Sequence, residues 1–513
     1  MRMDWLSGGG GRPRWPAFWL VLAAGVVLRL AHLGAGIPYD VGIDEPAIMT
    51  TVMRILKSGD FNPHFFEYPT GYIYVQLGGA VVTFLVGAMR HTWRAVEQVG
   101  PSDFYYGARL LSVAIAAGTI ALVHQAGLRW GARAALAAAA LLAVLPMHVR
   151  ESHFALTDTP LTFAAVLTLV LTLRACERPS LRAFLFAGAA AGLAAGIKYN
   201  GLMAVSMPLV AVLALERGRH PARATAALVV VASCVAAFFL TTPYAIFDLP
   251  AFLNGFGTQA AAFSPRSDSA EPSWLVYAKH MQLAFGWPGI LLCLAGLGLS
   301  ARRAVKGPDR LRWVLLLVFP AVYFYLINGW GFMFARYAMP VVPFMAVWAG
   351  VAMAEAFDRV SNRAWARIVK QTAVVAIVAA AVIPPLIGSV QWVRFHGAET
   401  TQTQAWNWIK GNIWHNSVVL SEARRFELPA ERYRYEFARQ ITDRDPDAVV
   451  ATGVEWLILS SDAWGTRPEG NASPVGPPAA YAPFLQRYQV VKVITPAPGV
   501  AGPEIHILRR AGR

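Results

Sequence analysis

The stretch Pro38-Tyr39-Asp40-Val41-Gly42-Ile43-Asp44-Glu45 follows the first apolar run of the chain, and His64-Phe65-Phe66-Glu67-Tyr68-Pro69 follows soon after. The run before it extends from about Trp15 to Gly36, long enough to cross a bilayer, which takes roughly 20 apolar residues. Arg12 and Arg14 precede that run, and no small-residue cleavage site ends it, so it reads as an uncleaved signal anchor. Asp44 and Glu45 therefore lie just outside a membrane span, and Glu67 returns before an aromatic-Pro step. Carboxylates so close to hydrocarbon are costly unless they have a task. Solvated loop acids are the plain alternative, and the rest of the chain weighs against it.

The chain has 513 residues, is 56% hydrophobic and has a mean hydropathy of +0.44. That composition is a polytopic membrane protein rather than a soluble enzyme. A net charge of +15 suggests nucleic acid, but its distribution argues otherwise. Residues 391–513 carry 14 Lys/Arg against 12 Asp/Glu, and the excess sits in short loops between apolar segments. Cys176, Cys234 and Cys293 fall in or beside apolar segments and offer neither a disulfide framework nor a metal-type spacing. Richness in Ala, Gly, Arg and Pro is in keeping with a GC-rich bacterial genome.

After the first, apolar segments lie near 68–89, 104–126, 132–149, 158–175, 183–198, 199–215, 224–242, 285–300, 312–329, 335–355 and 369–390. The loops at 127–133, 174–182, 216–223, 301–312 and 357–370 hold 17 Lys/Arg. The alternate loops after residue 110 hold five: Arg150, Lys198, Arg266, Lys279 and Arg336. Basic loops stay cytoplasmic. All of them, with the basic N-terminus, share one side only if 68–89 does not cross and lies instead as an interfacial helix of the first external loop. The expected architecture is an α-helical membrane protein of about 11 transmembrane helices, with external loops near 37–103, 150–158 and 243–284. Residues 391–513 read differently. Apolar runs shorten to strand length at Ser417–Ser421, Trp456–Ser460, Val490–Ile494 and Ile505–Leu508, with a helical pattern at Thr403–Lys410. We expect a membrane domain over 1–390 and an extracytoplasmic α/β domain over 391–513.

Parity places Asp44, Glu45 and Asp158 at one membrane face. Removing a proton from an attacking hydroxyl needs a positioned carboxylate, and an acid pair supplies a base and a supporting group. The plain reading of Asp158 is a helix N-cap, with Thr157 or Asp158 capping before Thr159-Pro160 in the first turn, and a cap and a functional role are compatible. Arg29, Lys198 and Arg336 lie within or at the external edge of apolar segments, against the charge rule. They either snorkel to headgroups or clamp a phosphate. The run Gly188 to Gly196 before Lys198 lets helices pack closely. His64-x-x-Glu67 has a spacing that faces one metal from one helical turn, so His64, Glu67 and Asp158 are the metal candidates, and metal dependence stays open.

The Asp-Glu pair, the Glu67-Tyr68-Pro69 step, Gly107-Ala108-Arg109-Leu110-Leu111-Ser112, the basic hairpin 129–133, Ala155-Leu156-Thr157-Asp158 and 192–201 together resemble the GT-C membrane glycosyltransferases, in particular glycosyltransferase family 39. The resemblance covers roughly residues 15–355. It implies a polyprenyl-phosphate-linked sugar donor, used on the external face of a bacterial inner membrane, with inversion at the anomeric carbon and an acceptor hydroxyl on protein, lipid or glycan. It implies Asp44 as catalytic acid-base group with Glu45 beside it, and substrate contacts from Glu67, Tyr68, Arg109, Asp158, Lys198, Tyr199 and Arg336. Two features depart from the family: Tyr68-Pro69-Thr70 replaces its Lys-Pro or double-Pro forms, and the second external loop has Glu151 and Asp158 rather than a tight acid pair. No cofactor other than a divalent metal is in question, and membrane lipids are the surroundings. The rival readings are a lipid-sugar flippase or transporter, which needs ionisable residues near the bilayer midplane, and an envelope scaffold, which leaves the external acids unexplained.

Overall fold

The computed structural model describes residues 15–37, 44–215, 222–264, 271–423, 428, 432–464 and 477–512. Residues 38–43 of the opening stretch, the basic N-terminal residues Arg12 and Arg14, and Arg266 lie outside them. The chain divides into two compact units, Met1–Leu33 with Gly42–Trp392, and Gly34–Val41 with Val393–Arg513.

Each of the twelve apolar segments is helical in the first unit. Among the described residues, eight helices are long and apolar enough to cross a membrane. Trp15–Leu30, Ala132–Val144, Leu181–Ile197 and Tyr199–Leu213 are shorter. The first loop adds a helix, Glu45–Ser58, and the long third loop adds Leu249–Ala262, neither of which hydropathy announces. Gly71–Met89 turns Val75, Val82, Leu85 and Met89 outward.

Two local devices bring the helix ends into place. Gly188, Gly192 and Gly196, spaced four residues apart, form a stripe against Arg223–Thr241. A Cβ on Gly192 would sit 2.2 Å from the Cys234 carbonyl oxygen, and one on Gly188 2.5 Å from that of Val230. Such small-residue stripes let helix backbones meet in lipid, where dispersion rather than hydrophobic driving force holds them. The helix then stops at Lys198, whose backbone is extended. The second device is the break at Leu145-Pro146. Proline has no N–H and cannot continue the ladder, so the last carbonyls of Ala132–Val144 lose their partners. Arg29 supplies them from Trp15–Leu30, donating to Ala143 O at 2.7 Å and Leu142 O at 3.1 Å. Ser389 donates to Val144 O at 2.6 Å. Arg29 is wholly buried and also reaches Gly25 O and His148 Nδ1. It neither snorkels nor faces a phosphate; it caps a helix.

The second unit is a five-stranded sheet of β1 (Val418–Ser421), β2 (Arg434–Phe437), β3 (Trp456–Ser460), β4 (Tyr488–Ile494) and β5 (Ile505–Arg510), in the order β2-β1-β3-β5-β4. β1 runs parallel to β2 and β3, while β5 is antiparallel to β3 and β4. Ala405, Ile409 and Ile413 pack with Val419, Ile458 and Ile507 on one face; Val449, Tyr481 and Phe484 pack with Leu420, Leu457 and Leu508 on the other. A strand covered on both faces reads as an unbroken apolar run, which is why β3 is legible to the residue. β2, Arg-Tyr-Glu-Phe at an edge and mostly exposed, has no such run and escapes sequence reading.

Candidate active site

Asp44 and Glu45 begin the Glu45–Ser58 helix but turn to different partners. Asp44 is its N-cap residue without a side-chain cap bond. Its Oδ2 instead accepts from Arg336 Nη2 at 2.9 Å. Glu45 is fully buried and takes Arg109 bidentately, from Nε at 3.0 Å and Nη2 at 2.8 Å, as well as the Ala155 N–H at 2.7 Å. Arg109 donates a further bond to Leu33 O and lies 5.3 Å from the Phe154 ring centroid. Glu45 and Arg109 thus tie the first loop, the Tyr105–Gly127 helix and the Asp158 loop together.

Asp158 opens the helix Asp158–Glu177, whose N-cap is Thr157, again without a side-chain bond. The carboxylate is therefore not a cap. Its Oδ1 accepts from Lys198 Nζ at 2.7 Å, and its Oδ2 lies 3.7 Å from Arg336 Nε. One helix starts at Asp158, the next returns and ends at Lys198, and Arg336 enters Val342–Ser361, so the four charged groups share one end of the bundle. They form a single chain, Lys198–Asp158–Arg336–Asp44. Aromatic faces line it: Lys198 Nζ is 4.8 Å from the Tyr337 centroid, and the Arg336 guanidinium 4.9 Å from Phe334 and 5.5 Å from Tyr337. Side-chain exposure rises along the chain from 3% at Asp158 and 7% at Lys198 to 12% at Arg336 and 25% at Asp44. Asp44 is the most exposed end of the chain.

Tyr68 stands near these acids. Burial, reinforced by Asp44 and Asp158, holds its hydroxyl well above the usual range, so it stays a neutral donor. Tyr199 donates to Phe66 O at 2.7 Å and packs against Phe252 and Phe256; it positions the Glu67 step from behind. Glu67 is exposed, without a side-chain bond among the described residues. Glu151 closes the Pro146–Glu151 helix. Burial, opposed by Arg150, pushes its carboxyl up to about 7.

The metal expectation at His64-x-x-Glu67 needs correction. Residues 59–70 are not helical, and His64 has a φ of 44°. His64 bonds Asp60 at 2.9 Å and faces Asp248 at 3.7 Å, while Asp158 is held by cations. Among the described residues no group of three His, Cys, Asp or Glu side chains suits a metal ion.

Residues 102–246 match the family model described as dolichyl-phosphate-mannose-protein mannosyltransferase. That span includes Arg109, Glu151, Asp158, Lys198 and Tyr199 but neither Asp44 nor Arg336. No curated protein matches the chain. Among solved structures it is similar to ArnT from Cupriavidus metallidurans bound to undecaprenyl phosphate, with a TM-score of 0.61 and 18% identity over 98% of this chain and 99% of that one. It also matches the oligosaccharyltransferase AglB from Archaeoglobus fulgidus, solved with an inhibitory peptide and a dolichol-phosphate, with a TM-score of 0.55 and 14% identity over 87% of this chain and 69% of that one. The fold is GT-C. Within that GT-C frame, hydropathy and charge parity point to Asp44, Asp158, Lys198 and Arg336. The Glu45–Arg109 pair and the environment of Glu151 have no sequence signal of their own, because both depend on which loops meet.

Proposed function

We propose that this chain transfers a sugar from a polyprenyl-phosphate donor to an acceptor hydroxyl, on the external face of a bacterial inner membrane. The observation that carries it is the Lys198–Asp158–Arg336–Asp44 chain at one end of the bundle. Its two cations suit a phosphate, its exposed acid suits a hydroxyl, and the apolar helices around it suit a lipid tail. The donor phosphate exchanges with the carboxylates for Lys198 and Arg336, which frees Asp44. Asp44 then takes the acceptor proton as the oxygen attacks the anomeric carbon. The sugar–phosphate C–O bond breaks on the opposite face, with inversion, and polyprenyl phosphate leaves as an anion held by the same cations. Preorganised charge on the leaving group matters more here than a general acid. Glu45 and Arg109 hold the loops in register, Tyr199 supports Glu67, and Tyr68 and Glu67 are left to face substrate. Two features of neighbours support the reading: the undecaprenyl phosphate and dolichol-phosphate in the structures matched above, and the matched family's description. Clustering of the described charged chain at one end of the bundle favours this reading over a lipid-sugar flippase or transporter.

Replacing Lys198 or Arg336 by Gln weakens binding of a polyprenyl-phosphate sugar. Loss of one charge-assisted contact costs about 1.5–3 kcal/mol, roughly 10- to 150-fold in affinity. Thermal unfolding is followed alongside, because each substitution leaves an acid short of a partner. Unchanged affinity in both variants removes the clamp.

Orientation follows from the charge distribution: Gly71–Met89 lies along the outer leaflet and the second unit is outside. In a background lacking the native cysteines, a cysteine at Gly307 is labelled only from the cytoplasm, and one at Gln489 only from outside. The reverse pattern at either position refutes this topology.

A further inference from the structure

Glu151 is a buried acid at this end of the bundle that the mechanism above does not use. Its side chain is 4% exposed, and its one described cation contact is Arg150 Nε at 3.4 Å, on a side chain 54% exposed. The Glu151 carbonyl accepts the Thr159 hydroxyl at 3.1 Å, which closes the loop to Asp158 and holds both acids at its two ends. The charged groups whose fields reach it are Arg150 on its own helix, Asp158 on the following helix, Arg336 on Ala335–Val341, and Lys198 at the end of Leu181–Ile197. Lys198 and Arg336 are already paired with Asp158 and Asp44, Glu151 lies close enough to feel their charge, and a donor phosphate adds a further negative charge.

We infer that Glu151 is a positioning residue that couples binding of the donor phosphodiester to uptake of one proton. In its neutral form it leaves Lys198 and Arg336 to the phosphate. In its ionised form it draws on the same two cations and repels the phosphate. This rests on the reading that Lys198 and Arg336 hold the donor.

The sign is fixed by linkage. Glu151 in the free protein titrates at about 7, chiefly through burial. An incoming anion favours the neutral carboxyl further, so the pKa in the complex lies higher. Between those two values donor affinity falls as pH rises, by up to about tenfold per pH unit. Below the free-protein value Glu151 is already neutral and affinity is flat. The donor is a phosphodiester, with a single charge that does not titrate here, whereas a phosphate monoester loses its second proton near about 6. The diester therefore isolates the protein's own titration.

The test is the dissociation constant of synthetic polyprenyl-phosphate mannose for the full chain in nanodiscs, from below pH 6 to above pH 8. Wild type weakens about tenfold across that range. Glu151→Gln binds tightly with a flat profile, and Glu151→Asp keeps a pH dependence. A flat wild-type profile overturns the inference, as does a Glu151→Gln profile that titrates like wild type. So does a Glu151→Gln variant that loses affinity equally at every pH together with thermal stability, since that is a purely structural role. If Lys198→Gln and Arg336→Gln leave affinity unchanged, the phosphate clamp falls and this inference with it. If they weaken binding while Glu151→Gln still titrates, only the inference falls.

Discussion

Asp44→Asn leaves the donor bound and lowers the rate of transfer by about 10²- to 10⁴-fold, the scale for removing a general base. Asparagine keeps the size of the side chain and can still accept from Arg336, but it cannot take a proton. Asp44 is the most exposed carboxylate of the charged chain, 25% against 3% for Asp158, so the substitution disturbs little packing. Donor affinity is not lost, because the phosphate no longer competes with a negative charge for Arg336. The expected signature is a fall in kcat with donor binding preserved, as for an interaction made only in the transition state. Transfer from a purified polyprenyl-phosphate sugar in nanodiscs, with binding followed separately, reads both quantities. Near-normal turnover removes Asp44 from the mechanism and passes its role to Glu67 or Asp158.

Glu45→Gln acts differently although the two residues are neighbours. Glu45 and Arg109 are both wholly buried, and the carboxylate also holds the Ala155 N–H. Removing one partner of such a pair leaves an uncompensated buried charge and costs about 3–5 kcal/mol. We expect a steep loss of folded protein in detergent and a lower thermal midpoint. Removing both charges in Glu45→Gln/Arg109→Met restores much of it, since a buried pair is often replaceable by apolar groups of similar volume. A Glu45→Gln protein that folds normally and loses only rate would instead place Glu45 beside Asp44 in catalysis, the role its position in the sequence suggests.

These two residues show where sequence reading reaches and where it stops. Among the described residues hydropathy locates the long apolar helices of the membrane unit, because lipid demands long apolar runs whatever the packing. It does so even where, as at Pro146, the helix breaks and Arg29 must cap it. Charge against the loop rule picks out Lys198 and Arg336, and acids beside spans pick out Asp44 and Asp158. What escapes is pairing. Nothing in the sequence says that Glu45 faces Arg109 while Asp44 faces Arg336; that follows from a helix starting at Glu45, which buries one side chain and leaves its predecessor at the rim. His64 fails for a related reason: the i,i+3 spacing means one face only on a helix, and that segment is not helical, with His64 in the left-handed region. Arg29 reads in the sequence as a snorkelling or phosphate-binding cation, and its pairing with three backbone carbonyls again depends on which helices meet.

By the function proposed above, this chain consumes a lipid-phosphate sugar. Mass spectrometry of lipid extracts and envelope glycans tests it whatever the sugar is, in a strain lacking the protein and in that strain complemented with wild type or Asp44→Asn. The account predicts that one polyprenyl-phosphate sugar accumulates, that the matching residue disappears from an envelope glycan, and that wild type but not Asp44→Asn reverses both. An unchanged lipid pool with unchanged glycans, or equal rescue by the two proteins, would contradict it.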